Sequence, residues 1–204
     1  MFGKKILLLA AVFILDSGFT PQSHQEIPSS KTMLVNKSGS LIVRGSTNVN
    51  TFDCIVINYC KPDTIVFHPS HSKTQTIDLS GDILIDIQSF DCHNSMMTAE
   101  LRKILKAKEY PHLKIHFVSL AKCPTFNNQK EHIKGVVFIE LAKVKKRFDI
   151  DFDFYKDENQ NMHMLGSRDV NFSDFNITPP TKLGGMIKTR DKLGIEFHLQ
   201  LKEI

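Results

Sequence analysis

The 204-residue chain has no Trp, only 3 Tyr and only 4 Cys. Its 26 basic and 22 acidic side chains are interspersed and leave a formal net charge of +4, so the chain lacks the dense basic stripe of a nucleic-acid-binding protein. Nucleic acid is therefore not an expected partner. Paired C-x-x-C spacing and a G-x-S-x-G motif are also missing, which removes the usual sequence arguments for a zinc site and a serine hydrolase.

Only the amino-terminal segment contains a long apolar run. Lys4 and Lys5 precede ten apolar residues at 6–15, which is the length of a signal-peptide core and too short for the roughly 20 residues that cross a bilayer. We predict a signal peptide at residues 1–20, export to the periplasm or the exterior, and a flexible leader at residues 21–37. An uncleaved anchor is the alternative, because residues 16–20 show no A-x-A pattern.

Export changes the interpretation of the cysteines, since an oxidising compartment permits disulfides. The sequence allows three pairings of Cys54, Cys60, Cys92 and Cys123. The tripeptide Phe-Asp-Cys occurs twice, ending at Cys54 and at Cys92. If the two strands that carry it are antiparallel, these thiols meet, which favours Cys54–Cys92 and leaves Cys60 with Cys123. A zinc site that also recruits His93 is the alternative.

Period-two alternation dominates the remaining sequence and predicts β-strands. It is clearest at residues 148–154, where apolar side chains alternate with Asp. The same pattern recurs at residues 83–87, 113–117, 137–141 and 193–201, and a further strand is predicted at residues 162–170. Long strands with one apolar and one polar face indicate an antiparallel sheet. The basic residues 143–147 predict a hairpin turn.

One segment has helical periodicity instead. Met97, Leu101 and Ile104 recur on one face, which predicts a short amphipathic helix near residues 96–108. Ser95 is the predicted N-cap, and the helix is expected to end at Tyr110. A helix this short needs a sheet to pack on.

Clusters of titratable side chains give weak signals for catalysis or metal binding. His112 and His116 fall on one strand, about 13 Å apart, so they do not chelate one ion together. His68 and His71 fall in a loop without nearby carboxylates, and the Asp residues of 149–153 mark a solvent-facing strand surface. We predict no catalytic residue, no metal and no cofactor. A hydrolase or metalloenzyme is the alternative.

Four features in order resemble the YceI-like family: G-S-T-N-V-N-T-F-D-C at residues 45–54, L-K-A-K-E-Y-P-H-L after the helix, a run of long strands, and S-D-F-N-I at residues 173–177 before a Gly-rich loop and the last strand. The resemblance covers residues 38–203. It implies a periplasmic, lipocalin-like closed antiparallel barrel of about eight strands over residues 38–204. Characterised members of the family bind polyisoprenoids or other long amphiphilic lipids.

The chain departs from the family's R-S-D-F-G-I pattern, because Phe172 replaces the Arg and Asn176 replaces the Gly. A neutral or more apolar ligand is therefore easier to accommodate than one held through that Arg.

The resemblance and the alternation together predict that inward-facing side chains line a lipid pocket, without catalysis. The predicted lining residues are Ile85, Ile87, Met97, Leu101, Ile115, Phe117, Val137, Ile139, Phe148, Ile150, Phe152, Met164, Ile195 and Phe197. The expected partner is a hydrophobic lipid such as a polyisoprenoid, a quinone-like molecule or a fatty acid, with transient contact of the basic residues 143–147 with a membrane surface. The alternative is a structural or protein-interaction β-domain of the cell envelope whose barrel is filled by its own side chains. The sequence does not indicate an oligomeric state.

Overall fold

The computed structural model describes residues 29–36, 38–57, 63–68 and 75–204. This part of the chain contains twelve strands and one α-helix. They are β1 (Lys31–Val35), β2 (Ser40–Thr47), β3 (Thr51–Ile57), β4 (Thr64–His68), β5 (Ile77–Ser80), β6 (Asp82–Asp86), α1 (Ser95–Ile104), β7 (His112–Leu120), β8 (Glu131–Leu141), β9 (Val144–Lys156), β10 (Met162–Asn171), β11 (Thr181–Lys182) and β12 (Ile187–Glu203). The fold is mainly β, as the alternation predicts.

Eight of the strands close into an antiparallel barrel in the order β1, β4, β5, β7, β8, β9, β10 and β12, and β12 returns to β1. The closed, lipocalin-like barrel of about eight strands is therefore confirmed. β12 is long enough to pair with β1 near its carboxyl end and with β2 near its amino end. β3 extends the sheet beyond β2, and β6 continues the path of β5 along β7.

The two ends of the barrel differ. At one end, which we call the α1 end, the last residues of β2, β8 and β10 meet the first residues of β3, β7, β9 and β12. Helix α1 covers this end, and Ile55 of β3 pairs with Asp91 just before the helix begins. At the opposite, far end, β1, β4 and β5 complete the wall.

Alternation sets the inner and outer faces of the barrel. Along β9, Phe148, Ile150 and Phe152 are buried, whereas Asp149 and Asp151 are exposed. The interior towards the far end is packed with rings, namely Phe117, Phe152, Phe154 and Phe197, which we call the aromatic cluster. The rings of Phe152 and Phe197 lie 5.8 Å apart, and each is 6.4 Å from Phe117.

The structure corrects three predicted boundaries. Residues 31–35 are not a leader, because they form β1, which closes the ring and buries Met33 and Val35. Helix α1 ends at Ile104, before the predicted residue 108, and its N-cap is Asn94, whose side chain accepts a hydrogen bond from the backbone N–H of Met97.

The third boundary is the turn predicted at residues 143–147. The turn between β8 and β9 is made by Ala142 and Lys143, both with positive φ, and β9 begins at Val144. The remaining basic residues of that segment therefore lie on a strand. Positive φ at both central residues suits the right-handed twist of a two-residue hairpin.

The cysteine prediction is confirmed in one pair. Cys54 and Cys92 form a disulfide that spans 38 residues of sequence. Cys123 carries a free, half-buried thiol, so it does not make the second predicted bond; it follows β7 in the loop that leads to β8. Its predicted partner Cys60, the signal peptide at residues 1–20 and most of the leader lie outside the described residues.

Candidate functional site

The candidate site is a pair of neighbouring cavities at the α1 end of the barrel. The inner cavity, of about 60 Å³, is lined entirely by apolar side chains from the barrel wall and α1. The outer cavity, of about 210 Å³, lies under α1 between the β2–β3 turn and the start of β12. Its lining is mostly apolar, with Thr47, Asn50, Glu100, Lys182 and Thr189 as polar members. Leu101 and Phe172 line both cavities.

Helix α1 supplies one wall of the site through its apolar face. Met97, Leu101 and Ile104 face the outer cavity, and Leu105, just after the helix, reaches the inner one. These residues share a face because side chains three and four positions apart lie on the same side of a helix. The apolar face predicted for the helix therefore covers the outer cavity.

Two polar side chains and the disulfide hold α1 in place. Thr98 accepts a hydrogen bond from the backbone N–H of Cys92 at 3.0 Å, so the helix is fastened beside the Cys54–Cys92 bridge. Arg102 donates to the backbone carbonyls of Gln88 and Phe90, at 2.6 and 3.1 Å. The segment that precedes α1 is therefore tied to β3 and to the helix itself.

The opposite wall comes from a 3-10 turn, Phe172–Phe175, that follows β10. Asp174 accepts a hydrogen bond from the backbone N–H of Asn171 at 2.8 Å and pairs with Lys146. Burial opposes ionisation of Asp174, but the hydrogen bonds from Lys146 and Asn171 outweigh it and hold its pKa below the ordinary value. The charged pair therefore stabilises the turn that directs Phe172 into both cavities.

The end of this turn explains one departure from the family pattern. Asn176 has φ of 56°, the left-handed conformation that glycine adopts freely and that Asn tolerates better than most residues. Asn therefore replaces Gly here with little cost. Phe172 replaces the family's Arg with a buried ring, which makes this wall of the site apolar.

Towards the far end, the aromatic cluster fills the barrel. A Cβ on Gly166 would lie 2.1 Å from the ring of Phe197, and one on Gly135 would lie 2.6 Å from the ring of Phe152. The two glycines thus leave space that the rings of Phe197 and Phe152 occupy. The two apolar cavities described above both lie at the α1 end.

The predicted lining residues divide into two groups. Five of them line the cavities: Met97, Leu101, Ile115, Ile139 and Ile195. The others are buried in the core: Ile85, Ile87, Phe117, Val137, Phe148, Ile150, Phe152, Met164 and Phe197. Contact of this second group with a ligand stays a prediction.

Several residues that line the cavities were missed by the sequence reasoning. Phe52, Ile104, Phe172, Phe175, Ile177 and Leu193 line one or both of them. Phe52 lies in the motif at residues 45–54 and Ile104 on the apolar face of the predicted helix, so their apolar character was a signal that could have identified them as lining residues. Phe172 and Phe175 sit in a short turn, where no periodicity marks an inward side chain.

A polar cluster centred on His163 lies on the outside of the barrel. His163 is buried there and stacks on Tyr155, with ring centroids 4.8 Å apart. Its two ring nitrogens approach His198 Nε2 at 2.7 Å and Asp157 Oδ2 at 3.1 Å. Burial, and then repulsion from His163, lower the pKa of His198.

Within the described ranges, no three His, Cys, Asp or Glu side chains are arranged to hold a metal ion. In the same part of the chain, no helix has both the length and the apolar character needed to cross a membrane.

The basic residues at the start of β9 contact neighbouring side chains, with Lys145 and Arg147 on the outer face and Lys146 in register with the inward-facing Phe148. Lys146 pairs with Asp174, Arg147 lies 3.2 Å from Asp149, and Lys145 sits over the ring of Phe138 at 4.7 Å. Their predicted contact with a membrane stays a prediction.

A closed antiparallel barrel with an apolar cavity beneath a short helix defines a lipocalin-like fold. The YceI-like domain profile matches residues 62–201, well over half of the chain. The chain belongs to the YceI-like family. No curated protein matches it.

Solved structures share the fold at low sequence identity. A polyisoprenoid binding domain from Saccharophagus degradans, implicated in plant cell wall breakdown, matches with a TM-score of 0.59 and 9% identity over 85% of this chain and 98% of that one. Burkholderia cenocepacia BcnA matches with a TM-score of 0.54 and 17% identity over 84% and 95%. The Campylobacter jejuni YCEI protein matches with a TM-score of 0.51 and 17% identity over 72% and 83%.

Proposed function

We propose that this protein binds and sequesters or transports a long hydrophobic lipid, such as a polyisoprenoid, a quinone-like molecule or a fatty acid, without catalysing a reaction. The observation that carries the proposal is the wholly apolar inner cavity, enclosed by the barrel wall and α1. The inner cavity has no polar group with which to activate a substrate, and its apolar lining favours a hydrocarbon chain. The YceI-like fold supports lipid binding in general.

The energy for such binding comes from removing the chain from water. Each buried methylene contributes about 0.8 kcal/mol, so a segment of ten methylenes gains on the order of 8 kcal/mol before the entropic costs of binding. Selectivity then depends on the length and cross-section of the chain. The polar groups of the outer cavity, including Asn50, Glu100 and Lys182, are placed to meet a head group.

The size of the site bears on how a ligand enters. Pockets for small molecules commonly measure about 300–1,000 Å³, whereas these cavities measure about 60 and 210 Å³. A long chain therefore requires α1 to move outward from the barrel wall. Phe172, in place of an Arg, favours a neutral head group.

The compartment is part of the same proposal. A disulfide such as Cys54–Cys92 fits an oxidising environment. We place the protein in the periplasm or outside the cell.

A structural or protein-interaction role in the cell envelope is the second candidate. The observation that favours it is the aromatic cluster, which closes the far half of the barrel with the protein's own side chains. In this case the small cavities at the α1 end are packing defects that stay empty.

Extraction of the purified protein with organic solvent, followed by mass spectrometry, separates the two candidates. The carrier predicts a stoichiometric lipid in the extract. It also predicts that Leu101→Trp, which fills the passage between the cavities, lowers the lipid content severalfold. Leu165→Trp is the matched control, because Leu165 alternates outward between the buried residues Met164 and Gly166. Clean extracts, together with no uptake of added prenol or fatty acid, support the structural role.

A further inference from the structure

Four large apolar side chains are exposed at the α1 end of the barrel. Val49 is 65% exposed, Met96 70%, Leu183 70% and Met186 74%. They lie on three segments that border the outer cavity: the β2–β3 turn, the start of α1, and the hairpin of β11 and β12. Exposed apolar side chains grouped in this way commonly mark an interaction surface.

Backbone and side-chain hydrogen bonds join two of these segments into one unit. The Asn48 side chain donates to the carbonyl of Met186 at 2.9 Å and accepts from the backbone N–H of Lys188 at 2.9 Å. The backbone N–H of Asn48 also donates to the carbonyl of Lys188 at 3.0 Å. Val49 is therefore held beside the hairpin.

The hairpin projects from the barrel. It comprises residues 181–190, in which Thr181 pairs with Lys188 and Lys182 with Ile187. At its tip, Gly184 and Gly185 have φ of 64° and 92°, and nothing lies within 4 Å of the Cβ position at either residue. Leu183 and Met186 flank this free tip and face solvent.

The hairpin also carries charge of one sign. Lys182, Lys188 and Arg190 are its charged residues, and no acidic residue occurs between Asp174 and Asp191. None of the three cations forms an ion pair with the part of the chain that the structure describes. In contrast, Lys146 on β9 is already paired with a carboxylate.

We propose that the β11–β12 hairpin docks on the surface of an anionic lipid bilayer. Leu183 and Met186 insert among the acyl chains, and the three cations lie at the level of the lipid phosphates. Apolar tips flanked by cations match the layered chemistry of such a surface, with apolar chains beneath anionic groups. A cationic hairpin without acidic residues favours this occupant over a second copy of the chain, which presents the same cations.

Docking in this orientation brings the mouth of the outer cavity close to the membrane, since Lys182 and Ile187 of the hairpin also line that cavity. The proposal does not depend on a lipid inside the barrel. Vesicle binding therefore tests membrane docking, and lipid extraction tests the proposed lipid binding; either result can be negative without affecting the other.

Vesicle co-sedimentation tests the proposal. The full chain is expected to bind mixed phosphatidylcholine–phosphatidylglycerol vesicles, to release them with added salt, and to bind pure phosphatidylcholine at least tenfold more weakly. The double variant Leu183→Ser, Met186→Ser and the single variant Lys188→Glu are each expected to lower the partition coefficient on the order of tenfold.

Matched controls come from the far end. The exposed fraction of Ile204, 67%, is similar to that of Leu183, and Lys202 is an exposed cation on β12. Ile204→Ser and Lys202→Glu are expected to leave vesicle binding unchanged. Equal losses in these controls, equal binding to pure phosphatidylcholine, or no vesicle binding by the unmodified chain would overturn the proposal.

Fluorescence adds a direct measure of insertion. Because the chain contains no Trp, Leu183→Trp introduces a single reporter. Its emission should shift to the blue when anionic vesicles are added, whereas that of Ile204→Trp should not. If the emission of Leu183→Trp remains that of a solvated indole after vesicles are added, insertion is contradicted. The same result is expected if the hairpin binds a protein instead of a membrane.

Discussion

Leu101 on α1 and Phe172 in the turn after β10 line both the inner and the outer cavity. The helix and the turn are far apart in sequence, yet together they set the boundary between the two spaces. Phe172 stands where the family pattern has Arg. An apolar ring therefore occupies this boundary between the two cavities.

Phe172→Arg should change the ligand preference. The Arg side chain is expected to extend towards the outer cavity and Glu100, because a guanidinium is costly among apolar side chains. The affinity for a prenyl phosphate relative to the corresponding prenol should rise at least tenfold, measured by competition with a fluorescent lipid. A ratio of affinities is insensitive to partial unfolding.

The control for this prediction is Phe138→Arg, since Phe138 faces outward between buried Val137 and Ile139 on β8. It should leave the ratio unchanged. An unchanged ratio in Phe172→Arg would show that Phe172 does not contact the head-group region.

Gly166→Ala should destabilise the fold by about 1–3 kcal/mol through overpacking. The added methyl group would lie 2.1 Å from the ring of Phe197, which is itself packed against Phe117 and Phe152. Urea unfolding followed by circular dichroism measures the effect. Gly194→Ala is the matched control, because the nearest atom to its Cβ position is a carboxylate oxygen of Asp169 at 3.6 Å. Equal stabilities for the two variants would argue against the tight ring packing.

Cys92→Ser should lower the free energy of unfolding by about 2–4 kcal/mol, because the disulfide restricts the unfolded chain across 38 residues. Alkylation in denaturant without reductant, followed by peptide mapping, should identify Cys54 as the newly free thiol. Cys123→Ser, which alters a thiol that is already free, should change stability little. If a cysteine other than Cys54 became newly labelled in Cys92→Ser, relative to the unmodified protein, the pairing would be contradicted.

Acid should destabilise the protein in two steps. Burial and His163 hold the pKa of His198 below 6.5, so the unfolded chain binds more protons as the pH falls through that value, and stability declines. Hydrogen bonding, chiefly from Asn161, lowers the pKa of Asp157 from 3.8 to about 2, so its contribution is present above 3.8 and is lost as the pH falls towards 2.

His198→Gln tests the first step. The variant should lose less stability than the unmodified protein between about pH 7.5 and 5 in urea unfolding, since it lacks the imidazole that becomes harder to protonate on folding. His112→Gln is the control, because His112 is exposed at the start of β7. Parallel stability curves for His198→Gln and the unmodified protein would exclude this role for His198.

Much of the fold could be predicted because strand periodicity reports directly on which face is buried. The alternation at residues 148–154 correctly assigned Phe148, Ile150 and Phe152 to the inside of the barrel. The repeated Phe-Asp-Cys correctly paired Cys54 with Cys92. The alternation is information held in neighbouring residues, whereas the cysteine pairing also required two distant segments to meet antiparallel, as Ile55 and Asp91 do.

The predictions failed where the outcome depends on distant partners. The strand β1 is short and follows a polar segment, and its five residues are ordered by pairing with β4 and β12, which lie elsewhere in the sequence. Helix α1 ends at Ile104 although the chain stays rich in helix formers to Lys108, because Lys106 adopts positive φ in the turn that leads to β7.

The sequence alone determined the family, the inward face of each long strand and the presence of one amphipathic helix, because these follow from residue order and local periodicity. Only the tertiary structure decided which inward side chains border empty space. Phe117, Phe152 and Phe197 meet one another and fill the barrel, whereas Ile115, Ile139 and Ile195 face a gap at the α1 end. The reason is that a cavity is a property of several chain segments at once: it remains where the side chains of facing elements are together too small to fill the space between them.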